Sequence, residues 1–68
     1  MSSQERITTI LLRLLRGDQL NKQALMTEFN KDESSIRRDI SVIKRAFDDV
    51  FSEPAPFIAA SSGDYRLK

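Results

Sequence analysis

The chain has 68 residues, of which 40% are hydrophobic, and a formal net charge of +1. This length allows one small core and leaves no room for a deep catalytic cavity beside it. The sequence contains no cysteine and no histidine, and it has no glycine-rich phosphate loop. These absences exclude a disulfide framework and a thiolate metal site, so we predict a protein that is not an enzyme and uses no cofactor or metal. The lack of cysteine fits a cytoplasmic location, and no apolar run reaches membrane-spanning length.

The first helix is predicted at about residues 3–16. Ser2 and Glu5 have the spacing of a capping box, and Gly17 can end the helix in a left-handed conformation. Apolar residues recur with the helical period, at Ile7, Ile10, Leu11 and Leu14. The opposite face is expected to be solvated surface and contains Arg6, Thr9, Arg13 and Arg16.

A short second helix is predicted at residues 22–29, with Asn21 as its N-terminal cap. A tight turn should follow, because Asn30 tolerates the left-handed conformation and Asp32 can cap the next helix. Two amphipathic helices joined by a three-residue turn are the minimum specification of a helix-turn-helix.

The third helix is predicted from residue 33 to about residue 51, ending before Pro54. At about 100° per residue, one narrow sector is apolar and contains Ile36, Ile40, Ile43 and Phe47. The opposite sector is polar and contains Ser34, Arg38, Ser41 and Arg45, with Arg37 on its flank. Residues 33–45 hold four cations and two acids, and we expect Asp39 to form a structural ion pair with a nearby arginine. Arginines and short hydroxyls suit base edges and phosphates, although a solvated helix face gives the same pattern.

The last segment predicts a two-stranded hairpin at about residues 57–68. Tyr65 and Leu67 alternate with Arg66 and Lys68, which is the period of a strand with one buried face. Ser-Ser-Gly before them supplies the turn. The hairpin should pack on the helices through Phe57, Tyr65 or Leu67, because an isolated hairpin is marginal in water. The predicted fold class is mostly α with a small β-hairpin, in which three helices precede a β-wing.

Two motifs carry a resemblance to a known family. Ser35-Ile36-Arg37-Arg38-Asp39-Ile40 is similar to the Thr-Ile-Arg-Arg-Asp-Leu signature of DeoR-type and WYL-domain transcriptional regulators, and Gly63-Asp64-Tyr65-Arg66-Leu67 is similar to the Gly-Gly-Tyr-Arg-Leu ending of their wing. The chain departs from the family pattern at Asp64, at Met26, where a small residue is usual, and at Lys31, where an apolar one is usual.

The resemblance implies that residues 1–68 form a single winged helix-turn-helix domain. It further implies a sequence-specific, double-stranded DNA-binding module of a prokaryotic transcriptional regulator, with residues 33–47 as the recognition helix in the major groove. The residues expected to contact DNA are Ser34, Ser35, Arg37, Arg38, Ser41, Lys44, Arg45, Arg66 and Lys68.

Within this set we expect Arg38 to read a base, Lys44 and Arg45 to meet phosphates, and the wing cations to grip the backbone or minor groove. A single small module binds DNA loosely, so a homodimer or a partner subunit would supply the remaining affinity. Val50 and Phe51 would serve such a contact unless they pack beneath the hairpin. The alternative function is a winged-helix protein–protein interaction module without direct DNA readout, favoured by the low net charge and by the acidic residues Asp48, Asp49 and Glu53.

Overall fold

Three helices come first in the chain and a β-hairpin follows, as predicted. The computed structural model describes residues 2–51, 57–60 and 64–67, with residues 57–60 described by their backbone alone. The elements in chain order are α1 (Ser3–Leu15), β1 (Leu20–Asn21), α2 (Lys22–Phe29), α3 (Glu33–Phe51), β2 (Phe57–Ala60) and β3 (Asp64–Leu67). The three helices lie within a residue or so of their predicted bounds, whereas β1 was not predicted.

Local caps explain where α1 begins and ends. The Ser2 hydroxyl accepts a hydrogen bond from the Glu5 amide at 3.1 Å, and the Glu5 carboxylate accepts one from the Ser2 amide at 3.5 Å. This reciprocal arrangement is the predicted capping box, which satisfies amides that have no partner inside the helix. At the other end, Gly17 has a φ of 99°, a conformation that suits glycine because it lacks a Cβ.

Side-chain caps and a left-handed residue also set both ends of α2 and the start of α3. Asn21 caps α2, because its side-chain oxygen accepts from the Ala24 amide at 3.0 Å. Asn30 ends α2 in the left-handed region, with φ 54° and ψ 50°. The Asp32 carboxylate then accepts from the Ser35 amide at 2.9 Å in the first turn of α3. This hydrogen bond lowers the pKa of Asp32 below its usual 3.8.

The hydrophobic core lies where the three helices meet. Its buried residues are Ile10, Leu14, Leu20, Leu25, Ile36, Ile40 and Ile43. The predicted apolar face of α3 is therefore confirmed, and Phe47 packs against the core as a partly buried residue. Each fully buried aliphatic side chain contributes about 1.5–3 kcal/mol to folding, so α3 is held firmly by this one face.

The three strands form one antiparallel sheet in the order β1-β3-β2. In β1, Leu20 pairs with Tyr65 and Asn21 with Asp64, while β2 pairs along the other edge of β3. Tyr65 and Leu67 are partly buried against the core, which confirms that the hairpin packs on the helices. Phe57 was also expected to pack on the helices, but its side chain is not among those described.

No helix in the described part of the chain combines the length and apolar character that crossing a membrane requires.

Candidate nucleic-acid interface

The polar face of α3 lies on the surface of the domain. Its predicted members are all exposed, namely Ser34, Arg37, Arg38, Ser41 and Arg45. Lys44 is exposed as well, whereas Ser35 is half-buried because it lies beside the N-terminal cap, where its amide donates to Asp32. The sequence-predicted residues of α3 thus form one continuous polar strip along the helix, with Ser35 at its edge.

A buried ion pair sets the orientation of α3 against α1. Arg6 donates from Nε and Nη2 to the two carboxylate oxygens of Asp39, with 3.1 Å between Nη2 and Oδ1. The two residues are only 6% and 2% exposed. The hydrogen bond with Asp39 raises the pKa of Arg6, so the guanidinium remains charged. Such a bidentate contact restricts rotation of α3 about its own axis.

The prediction that Arg6 is solvated surface was therefore wrong. Arg6 lies one turn before Ile10 on α1, and this side of α1 faces α3. Because its partner is 33 residues away, no local pattern in the sequence identifies the pair. The expected ion pair of Asp39 with an arginine is confirmed. Among the described residues, no buried side-chain nitrogen or oxygen lacks a hydrogen-bond partner.

Burial of Asp39 determines the charge of the exposed strip. Between residues 34 and 47, Asp39 is the only acid in the sequence, and its carboxylate points inward. The exposed charged residues of that segment are all cations, namely Arg37, Arg38, Lys44 and Arg45. A basic strip bearing two serine hydroxyls therefore lies on a protein whose net charge is only +1.

The first turn of α3 adds one acid, which is already engaged. Glu33 lies 3.3 Å from Lys22 of α2 and 3.3 Å from Arg37. The first contact bridges the two helices on either side of the turn. Partly exposed pairs of this kind contribute at most about 1 kcal/mol each, so they adjust the turn rather than hold it.

A second arginine of α1 secures α2. Arg13 donates to both carboxylate oxygens of Glu28, at 2.7 and 2.5 Å, and its guanidinium stacks over Phe29 at 5.8 Å from the ring centroid. The hydrogen bond from Arg13 lowers the pKa of Glu28. Arg13 was expected to be ordinary solvated surface and is instead half-buried, because the stacked ring and the carboxylate cover it.

Asp64, at the position where the family motif has a second glycine, fixes the start of β3. Its carboxylate accepts from Gln19 Nε2 at 2.9 Å and from Asn21 Nδ2 at 2.6 Å. Because Asn21 also caps α2, this carboxylate links the hairpin to the N-terminus of α2. The predicted wing cation Arg66 is exposed, and Lys68 lies outside the described residues.

An apolar groove runs between α1 and α3 beside the basic strip. It is lined by Ile7, Leu11 and Leu15 of α1 and by apolar residues of α3 between Val42 and Phe51. Val50 and Phe51, which were expected either to form an apolar seam or to pack beneath the hairpin, are 73% and 60% exposed. Both side chains therefore lie on the surface.

No protein-family model, no curated protein and no solved structure matches the chain. Among the described residues, no group of three or more acidic, cysteine or histidine residues is placed to hold a metal ion. The functional argument therefore depends on the geometry and charge of the surfaces described above.

Proposed function

We propose that this chain is a sequence-specific, double-stranded DNA-binding module of a transcriptional regulator, with a winged helix-turn-helix fold. The proposal follows the resemblance to DeoR-type and WYL-domain regulators and assigns no catalytic role. One observation carries it: the exposed charges of α3 between residues 34 and 47 are all basic, because Asp39 is buried against Arg6. A carboxylate facing a DNA groove would repel phosphates, and the fold removes the only one in this segment.

The dimensions of α3 suit the major groove. An α-helix with short polar side chains on its outer face can enter a groove about 12 Å wide. Ser34 and Ser41 keep that face narrow, while Arg38 lies between them and extends furthest toward a base edge. Arg38 would donate two hydrogen bonds to a guanine, a contact worth about 1–3 kcal/mol of discrimination. Arg37, together with Ser35 at the edge of the strip, would contact the backbone near the same bases.

Phosphate contacts would come from both ends of the surface. Lys44 and Arg45 lie about two turns beyond Arg38, at a distance at which a recognition helix leaves the bases and approaches a phosphate strand. On the wing, the exposed Arg66 would contact the backbone or the minor groove. Lys68, which the sequence assigns to the same contact, lies outside the described residues. Asp64 would fix the angle of the wing relative to α2, so that Arg66 approaches the DNA from a constant direction.

Selection from a random duplex pool tests the proposal directly. The chain should enrich a defined sequence, whereas Arg38→Ala should relax selection at one position and weaken binding to the enriched site about 5- to 150-fold, the equivalent of 1–3 kcal/mol. Arg16→Ala is the matched control, because Arg16 is an exposed arginine at the C-terminal cap of α1, with its side chain 72% exposed, outside the strip. Equal losses for both variants would contradict the assignment of Arg38.

Salt dependence tests the phosphate contacts separately. The logarithm of the binding constant should fall linearly with the logarithm of the salt concentration. Each phosphate contact should make this slope more negative by about 0.9. Replacing Lys44 by alanine should reduce the size of the slope by about one contact without changing the preferred sequence. Folded protein that binds no duplex even at low salt would refute DNA binding altogether.

The apolar groove and its acidic neighbours favour a second candidate function. A winged-helix module that holds a protein partner needs an exposed apolar surface with polar residues at its rim. The groove between α1 and α3 supplies the former, and the exposed Asp49 beside Val42 and Ala46 supplies the latter. This function would be preferred if the folded chain failed to bind DNA at low salt and a partner was displaced by a charged residue introduced at Ala46.

A further inference from the structure

The apolar groove holds three of the four large hydrophobic residues that are exposed among the described residues. These three residues are Leu15, Val50 and Phe51, and the fourth, Leu12, lies outside the groove. Exposed large hydrophobic residues are unremarkable when scattered, but a contiguous patch marks an interaction surface. The groove is therefore the surface on which a partner of complementary shape would pack.

The charges beside the groove indicate what that occupant is. Arg45 and Asp49 lie one turn apart on α3, both exposed, at the edge formed by Val42 and Ala46. Neither belongs to an ion pair within the described part of the chain. A cation followed by an anion along one helix edge is complementary to the same edge running in the opposite direction.

We propose that the groove is the interface of a two-fold symmetric dimer of this chain, in which α3 packs antiparallel to its copy and Arg45 pairs with the partner's Asp49. A two-fold axis makes every contact occur twice, so the surface must complement itself. In this antiparallel arrangement, the residue beside the two-fold axis faces its own copy. Residues that follow it on one helix lie opposite residues that precede it on the other helix.

Ala46 is the position that satisfies both the apolar and the charged contacts. With the axis beside Ala46, Val42 of one copy lies opposite Val50 of the other, since each is four residues from the centre. Arg45 of one copy then lies level with residue 47 of the other copy, two residues before Asp49. At about 1.5 Å per residue, Arg45 and the opposing Asp49 are offset by about 3 Å along the helix. The small alanine at the centre lets the helices approach closely, since the interaxial distance depends on the side chains at the contact.

The dimer would also bring its two basic strips to one side. Two helices related by such an axis place the same flank of each copy side by side, and Arg38 and Arg45 lie on the flank that carries Asp49. This consequence, unlike the dimer itself, rests on the proposed DNA-binding function. Paired strips would contact two half-sites, as two-fold proteins do on pseudo-palindromic DNA.

Charge exchange tests the dimer in the absence of DNA, so its outcome is independent of whether the chain binds DNA. Sedimentation velocity over a concentration series should show a monomer–dimer equilibrium for the full chain. Arg45→Asp and Asp49→Arg should each raise the dissociation constant about tenfold, because each places like charges across both symmetric contacts. An equimolar mixture of the two variants should restore association, because one copy then presents two acids to two arginines.

Two further variants separate this geometry from a general charge effect. Asp48→Arg makes the same charge change on a neighbouring residue that lies about 100° away around the helix from Asp49, and it should leave association unchanged. Ala46→Arg should abolish association, because a long charged side chain would occupy the centre of the interface. Circular dichroism should show native helix content for every variant compared. A wild type that stays monomeric at all concentrations, or a mixture that associates no better than its components, would overturn the proposal.

Discussion

Replacing Asp39 with asparagine should cost stability before it costs DNA affinity. Asparagine keeps the shape of the side chain and one acceptor oxygen, but it removes the negative charge opposite Arg6. The guanidinium would then stay charged in a site where only 8% of its side chain is exposed. Breaking a buried ion pair by removing one partner typically costs about 3–5 kcal/mol, and the retained acceptor oxygen should keep this variant near the lower value.

The size of the domain makes such a loss easy to measure. At about 0.05–0.15 kcal/mol per residue, a chain of 68 residues is stable by roughly 3–10 kcal/mol. A loss of about 3 kcal/mol therefore removes a large fraction of the total and should lower the melting temperature by more than 10 °C, since each kcal/mol shifts a domain of this size by about 4–8 °C.

Urea unfolding followed by circular dichroism would measure this loss. Asp48→Asn is the matched control, because Asp48 is an exposed acid on the same helix, and its replacement should change the free energy of unfolding by less than about 0.5 kcal/mol. Replacing both members of the pair, as Arg6→Met with Asp39→Leu, should recover most of the loss, because no buried charge is left without a partner. If Asp39→Asn unfolds at the same urea concentration as wild type and loses DNA affinity instead, the orienting role of the ion pair is refuted.

Three other predictions concern the turn and the hairpin. Asn30→Ala should destabilise the domain by about 1 kcal/mol, because a Cβ is disfavoured in the left-handed region, whereas Asn30→Gly should be close to neutral in the same thermal melt. Asp32 has a lowered pKa in the folded state, so its contribution to stability is present above pH 3.8 and is lost as the pH falls through the folded pKa. Asp32→Asn should therefore flatten the acidic part of a curve of unfolding free energy against pH. A curve that does not change would contradict the role of Asp32 as the cap of α3. Asp64→Ala should cost about 1–3 kcal/mol, because it removes two hydrogen bonds that contribute about 0.5–1.5 kcal/mol each. Hydrogen exchange should show faster opening of β3 with α2 nearly unchanged.

The helices were predictable because their signals are local. The capping box at Ser2 and Glu5 and the left-handed Asn30 each act through residues no more than four positions away. The apolar period of α3 needed only the geometry of a single helix to predict that Ile36, Ile40 and Ile43 would be buried. Its exposed strip followed from the same geometry, since residues opposite a buried face must meet solvent.

The contacts that position the candidate site were not predictable in the same way. Arg6 lies one turn before Ile10 on the buried side of α1, but its charge led to its assignment to the surface. Asp64 is of a residue type that is common in turns. Their partners are 33 residues away for Arg6 and 43 and 45 residues away for Asp64. The strand β1 has only two residues, too few for any periodicity, and it exists because β3 lies beside it.

By itself, then, the order of the amino acids determined the extent of each helix, its buried side and the cations left on the surface of α3, because hydrogen bonds and apolar periodicity within one helix depend on near neighbours. Only the packing of distant segments decided that the one acid between residues 34 and 47 turns inward, that the hairpin is tied to α2, and that an apolar groove remains open beside the basic strip. Such features depend on which surfaces meet in three dimensions, and a pattern confined to one helix carries no information about its neighbours.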